Sequence, residues 1–152
     1  IILLSSCFSI TLQEAFNDAG PNGDYEKYLI LEPNQTYTGG VGIYEGDVFI
    51  DCQGSIVDLQ EQNGIWVYAD ENYLATLDIQ YCNIINGGYY GLSYSGIASG
   101  TITNCNFYNN EIGIKPFDYS PYINANIVAK GILHFGRYIF TLAVRYNFYF
   151  IT

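Results

Sequence analysis

The chain has 152 residues, enough for one domain with a continuous core, and carries 15 Asp and Glu against 5 Lys and Arg, a net charge of −10. That balance repels phosphate backbones and anionic lipid headgroups, so nucleic acid is not an expected partner. One histidine and four cysteines, with no Cys-x-x-Cys pair, argue against a zinc site.

Residues 1–10 are apolar and uncharged. They read either as the end of an export signal's hydrophobic core or as a first buried strand, and are too short to span a bilayer, so no transmembrane span is expected. Leu4-Ser5-Ser6-Cys7 also has the pattern of a lipoprotein processing site, with Cys7 as the lipidated residue. The chain contains no Met, so Ile1 is read as lying inside a longer parent. Residues 11–20 are expected to form a helix. Thr11-Leu12-Gln13-Glu14 is a capping box, Leu12, Ala15, Phe16 and Ala19 recur at helical spacing, and Gly20-Pro21 ends the segment.

From residue 28 the period changes to two. Tyr28-Leu29-Ile30-Leu31 reads as a strand halted by Pro33, and Thr36-Tyr37-Thr38 opens another before Gly39-Gly40. Alternation continues through Val48-Phe49-Ile50-Asp51-Cys52, Ile56-Val57-Asp58-Leu59 and Ile65-Trp66-Val67-Tyr68. A repeat then becomes visible. Cys82-Asn83 and Asn86 recur 23 residues on as Cys105-Asn106 and Asn109, and Gly91-Leu92 recurs 22 on as Gly113-Ile114. Asn63-Gly64-Ile65 is an earlier partial copy, and Asn124-Ala125-Asn126 a weaker later one. Runs this short and β-branched are strands, with Asn, Gly and Ser at the corners where left-handed backbone is needed. Stacked in register, such units bury a continuous apolar ladder that none could bury alone.

These residues carry a family resemblance. Val48 to Gly54, the Asn63-Gly64-Ile65 segment and the Asn-Cys-Asn and Gly-Ile repeats together resemble the right-handed parallel β-helix superfamily with the pectin-lyase-like fold, over roughly residues 11–130. The expected fold is therefore all-β: a right-handed parallel β-helix with about 22 residues per coil, capped by the N-terminal helix. Residues 28–130 would hold the coils, and residues 131–152 remain unassigned. The resemblance implies a secreted or cell-surface protein, with polysaccharide as the partner class. It is silent on activity, because the repeats are a folding code.

Cys52, Cys82 and Cys105 fall at core-facing positions. Cys82 and Cys105 are expected to stack in adjacent coils, about 4.8 Å apart, as free thiols in preference to a disulfide.

No Lys or Arg occurs between Tyr28 and Ile114, where ten acids do. Asp70-Glu71, and secondarily Asp47 and Asp51, are the candidate Ca²⁺ ligands, weighed against simple solvated turn acids. Catalysis lacks positive support. Lyases of the resembling group use calcium-bound carboxylates with a basic residue, and hydrolases use paired Asp. The family's Asn-Thr-Asp, Asp-Asp, Gly-His-Gly, Arg-Ile-Lys and Trp-x-Asp-His motifs are all missing.

Binding has a better candidate. With Ile65, Leu92 and Ile114 facing inward, Trp66, Ser93 and Lys115 form one outward column, and Tyr68, Ser95 and Phe117 the next. Trp66 and Tyr68 would offer flat faces for sugar rings, with Lys115 in line. The expectation is an exported glycan-binding or structural module. The alternatives are a fragment of a polysaccharide lyase or glycoside hydrolase, and a purely structural or adhesive spacer.

Past Tyr119 the acids stop, and Lys130, Arg137 and Arg145 appear with His134. Phe140, Leu142, Val144, Tyr146, Phe148 and Phe150 alternate as one long strand would. Such a strand would close the solenoid, self-associate by its edge, or mark an altered terminus.

Overall fold

The computed structural model describes residues 10–62, 64–117, 126–130, 132–135, 138–140 and 147–151. The lipidation candidate Cys7 lies outside them. Strand β1 (Ile10–Thr11) leads directly into helix α1 (Leu12–Asp18). Four coils follow, each visiting three sheets in the same order. The first coil is β2 (Lys27–Ile30), β3 (Thr36–Thr38) and β4 (Gly42–Ile43); the second is β5 (Gly46–Asp51), β6 (Ile56–Asp58) and β7 (Ile65–Ala69). The third is β8 (Ala75–Gln80), β9 (Asn83–Ile85) and β10 (Tyr90–Gly96); the fourth is β11 (Ser99–Thr103), β12 (Asn106–Tyr108) and β13 (Ile112–Phe117). Strands β14 (Asn126–Lys130), β15 (Leu133–Phe135), β16 (Tyr138–Phe140) and β17 (Asn147–Ile151) extend the same three sheets.

All strand pairs between coils are parallel, so the molecule is a parallel β-solenoid with one short helix among the described residues. Alternation explains the core. Along β7 and β8, buried and half-buried residues alternate without a break, sending every second side chain inward. Register stacks these into ladders: Leu29, Ile50, Ile79 and Ile102 on one wall, and Tyr37, Val57, Ile84 and Phe107 on another. The third wall stacks Ile65 on Leu92 and Ile114. Tyr94 is the one fully buried tyrosine among the described residues, and its hydroxyl donates to the Leu77 carbonyl at 2.8 Å.

The repeat residues hold the corners. Asn86, Asn104 and Asn109 have left-handed backbone, with φ of 57°, 52° and 52°. Asn side chains at and beside these corners form amide ladders between coils. Asn106 Nδ2 donates to Asn83 Oδ1 at 2.8 Å, and Asn109 Nδ2 to Asn86 Oδ1 at 2.8 Å. Asn86 Nδ2 continues the second ladder to Asp58 Oδ1 at 3.0 Å.

Three expectations need correction. Coils average about 24 residues, not 22, because their lengths vary. Leu29 to Ile50 spans 21 residues and Ile50 to Ile79 spans 29, since the second coil is wider than the first between β6 and β7 and between β7 and β8, and wider than the third at Cys52 to Ser55 as well. That wider corner also changes the cysteine chemistry. Cys52 and Cys82 form a disulfide with a Cα–Cα distance of 4.9 Å, and Cys105 alone is a buried free thiol among the described residues. Cys82 does stand in register with Cys105, but its bond runs to the preceding coil. Lastly, the aromatic C-terminal run is not one strand. Tyr138–Phe140 pairs with β13 and Asn147–Ile151 with β14, which lie in different sheets.

Helix α1 occupies the place in the chain order where a further strand of the β4 sheet would fall, between β1 and β2. Its capping box is present. Thr11 Oγ1 accepts from the Glu14 N–H at 3.1 Å, and the Glu14 carboxylate accepts from the Thr11 N–H at 3.1 Å. The Thr11 hydroxyl, donating to the Glu14 carboxylate at 2.7 Å, and then the Thr11 N–H hold that carboxyl below its ordinary range. Leu12 is buried in the core, with Ala15, Phe16 and Ala19 packed against it.

Candidate functional site

The sheet built on β4, β7, β10 and β13 carries the predicted column in the predicted register: Trp66 beside Ser93, Ser93 beside Lys115, and Tyr68 beside Ser95. The geometry separates these residues into different roles. The Trp66 indole N–H donates to Ser95 Oγ at 2.8 Å, and the Ser95 hydroxyl donates in turn to the Val67 carbonyl at 3.2 Å. This relay fixes the ring's orientation, and the indole is half-buried. Ser93 is fully buried, and its hydroxyl is the one buried side-chain polar atom without a hydrogen-bond partner among the described residues.

Two further aromatics meet Trp66. Register sets Gly42 directly beside it, and the Tyr44 ring folds over Gly42 into the space a side chain would fill. Tyr44 and Trp66 stand edge to face, with centroids 5.8 Å apart and planes at 69°. Tyr89, from the corner before β10, completes the aromatic lining of a groove of about 550 Å³. Tyr44 is 53% and Tyr89 66% exposed, so both rings are open to a ligand. Gln13 from α1 and Glu61 with Gln62 from the corner of the second coil supply the polar lining. Glu61 and Gln60 are successive non-glycine residues in left-handed conformation, φ 61° and 53°, where the next coils turn on a single Asn.

Tyr44 escaped the sequence reading, and Tyr89 figured in it only as one of several tyrosines around Trp66 and Tyr68. Tyr44 follows a two-residue strand in a coil without the Asn-Cys-Asn motif, so nothing in the sequence sets its register. Tyr89 sits in a corner that periodicity does not reach. The signal that existed was Gly42, a gap opposite the single tryptophan.

Tyr68 and the acids lie differently. The Tyr68 hydroxyl donates to Asp70 Oδ2 at 3.3 Å, and Asp70 Oδ1 accepts from the N–H groups of Asn72 and Tyr73 at 2.8 and 3.0 Å. Those backbone bonds hold the Asp70 carboxyl below its usual range, while partial burial and then the Asp70 charge push the Tyr68 phenol up. Asp70 therefore closes its own turn, with Glu71 exposed beside it. Two carboxylates, one already committed, fall short of the six to eight oxygens Ca²⁺ takes. Asp47 and Asp51 are engaged with the next coil, accepting from Thr76 Oγ1 at 2.6 Å and Gln80 Nε2 at 2.9 Å. No grouping of three or more His, Cys, Asp or Glu fit for a metal occurs among the described residues. Lys115 lies two rungs from Trp66 in the same column.

Another aromatic group covers the sheet of β2, β5 and β8. Tyr28 stacks on Phe49 at 4.8 Å, and Tyr25 leans on both. Asp78 accepts from the Tyr25 hydroxyl at 2.7 Å and from Thr101 N–H and Oγ1 at 2.8 and 2.7 Å. The hydrogen bond to Asp78 raises the Tyr25 phenol to about 12. This cluster is internally satisfied and ties four coils together. Among the described residues, no helix is long and apolar enough to cross a membrane. Comparison with protein-family models, curated proteins and solved structures gives no match for this chain.

Proposed function

We propose that the protein is an exported glycan-binding module, and that the groove formed by Tyr44, Trp66 and Tyr89 is its binding site. The observation that carries this reading is the pairing of an oriented tryptophan with two exposed tyrosines, above a backbone stripped of side chains at Gly42. Pyranose rings present flat C–H faces to such aromatics, and amide and carboxylate groups at the edge accept and donate to the hydroxyls. Export is supported by the Cys52–Cys82 disulfide, which persists in oxidising compartments. Affiliation with the pectin-lyase-like β-helices belongs to the same proposal, supported by the Asn-Cys-Asn and Gly-Ile repeats. The test is a glycan-array screen of the whole chain beside a Tyr44→Ala, Trp66→Ala double variant. Saccharide binding by the parent and its loss in the variant is expected. An array that stays blank for the folded parent chain removes the glycan reading.

A further inference from the structure

We infer that the ligand of this groove is an uncharged pyranose chain, and not a polyuronate or other charged glycan. This inference rests on the glycan reading above and adds the ligand's charge class. Four observations lead to it. The groove lining contains one ionisable side chain of fixed charge, the carboxylate of Glu61, and no Lys or Arg. The surrounding chain from Tyr28 to Ile114 has no cation either, within a molecule of net charge −10. An anionic chain laid over Trp66 would enter a field of its own sign, weakened by Lys115 two rungs away, about 10 Å, and by Lys27, whose ammonium is already engaged by the carbonyls at the end of α1.

A bridging cation would relieve that repulsion, but the carboxylates near the groove are dispersed or already hydrogen-bonded, and no metal-fit cluster occurs among the described residues. What the groove does offer suits neutral hydroxyls. Glu61 is held by its backbone N–H, which donates to the Asn86 carbonyl at 2.7 Å, and is the second of two successive left-handed residues, where later coils have one. The amides of Gln13 and Gln62 stand with it and can both donate and accept. An exposed aromatic floor with one carboxylate is also open to a cationic sugar. The lone acid supplies a single counter-charge for repeated cations, while the amides of the lining match neutral hydroxyls.

Trp66 is the only tryptophan, so its fluorescence reports on the site itself. The disulfide-intact chain is titrated with neutral cello-, xylo- and manno-hexaose, with hexagalacturonate, and with the fully deacetylated glucosamine hexamer. Each titration is run at about 50 and about 500 mM NaCl, salt levels that differ several-fold in screening length. The expected result is a response to at least one neutral hexaose, with Kd unchanged within about twofold by salt and weakened more than about tenfold by Tyr44→Ala, while hexagalacturonate binds at least about tenfold more weakly. Two results overturn the charge assignment while leaving a glycan site in place. One is hexagalacturonate binding as tightly as any neutral chain. The other is the glucosamine hexamer binding most tightly, with a Kd that rises about tenfold at high salt. Silence from every hexaose removes the glycan reading and this inference together.

Discussion

Two glycines on one face of the solenoid make opposite demands. A Cβ on Gly64 would press into the backbone carbonyls of Gly91 and Tyr90 in the next coil, which cannot move without disturbing the ladder. A Cβ on Gly42 would instead meet the Tyr44 ring, at 2.7 Å from its nearest carbon, and that ring can swing away. Gly64→Ala is therefore expected to cost about 1–3 kcal/mol in urea unfolding, as overpacking against backbone does. Gly42→Ala should leave the unfolding midpoint nearly unchanged and shift the Trp66 emission, because it displaces the ring that stands against the indole. If Gly42→Ala destabilises as much as Gly64→Ala, the account of Tyr44 as a mobile wall is wrong.

Tyr25 gives a test by pH. Its hydroxyl donates to Asp78, 53 residues along the chain, and its folded value of about 12 lies above the ordinary 10. A raised folded value means the bond contributes fully below pH 10 and is lost as pH rises through about 12. The stability difference between parent and Tyr25→Phe should be constant from pH 7 to about 9 and shrink across that window. A difference that stays flat to pH 12 would show that the ring packing on Phe49, not the hydrogen bond, holds Tyr25. At this scale the sequence was readable where a residue had a repeat partner. Trp66, Ser93 and Lys115 fell into their column because Gly64-Ile65, Gly91-Leu92 and Gly113-Ile114 set the register. Tyr44, Tyr89 and Tyr25 had no such partner, and their neighbours come from other coils.

At the scale of the element, α1 shows how a solenoid ends. Lys27 stands in register with Val48 and Leu77, on the inward face at the mouth of the barrel, where a bare ammonium would be costly. It is accommodated because the C-terminus of α1 lies over it. Lys27 Nζ donates to the carbonyls of Phe16, Asn17 and Ala19 at 3.1, 3.0 and 2.8 Å, and lies 5.5 Å from the Phe16 ring centroid. The Phe16 carbonyl also accepts from the Ala19 N–H at 3.3 Å, so the lysine mainly satisfies the Asn17 and Ala19 carbonyls, and the cation faces the negative end of the helix. Lys27→Ala should lower stability by about 1.5–3 kcal/mol, the range for hydrogen bonds to charged groups. Thr11→Ala should lower it by about 1 kcal/mol through loss of the cap. Helical content by circular dichroism checks that both act through α1. The capping box and apolar spacing made the helix legible. Lys27 was not, because a lysine opening a strand looks solvent-facing until the cap is seen above it.

The whole molecule behaves as stacked coils, and its stability depends on the links between neighbours. The Asn ladders and apolar walls were foreseeable from the spacing of Cys82 and Cys105, Asn83 and Asn106, and Asn86 and Asn109. Coil length was not, since Cys52 to Ser55 widens one corner by residues that follow no repeat. The disulfide that results closes a 30-residue loop around the second and third coils. Cys52→Ala with Cys82→Ala should cost about 3–4 kcal/mol by loop entropy, seen as a lower urea midpoint. Cys105, with burial first among its causes, has its thiol pushed up to about 12, and should resist alkylation until the chain unfolds.

Held by its two ends and stretched, such a stack would yield by peeling, one rung at a time, and the crosslink decides where peeling must stop. The residues between Cys52 and Cys82 cannot pay out as thread. The fully extended chain should therefore measure about 100 Å shorter than its residue count implies, taking about 3.4 Å for each of the 30 residues spanned. An optical trap would record the missing length as a single release on adding reductant, a tether drawn tight inside the coil.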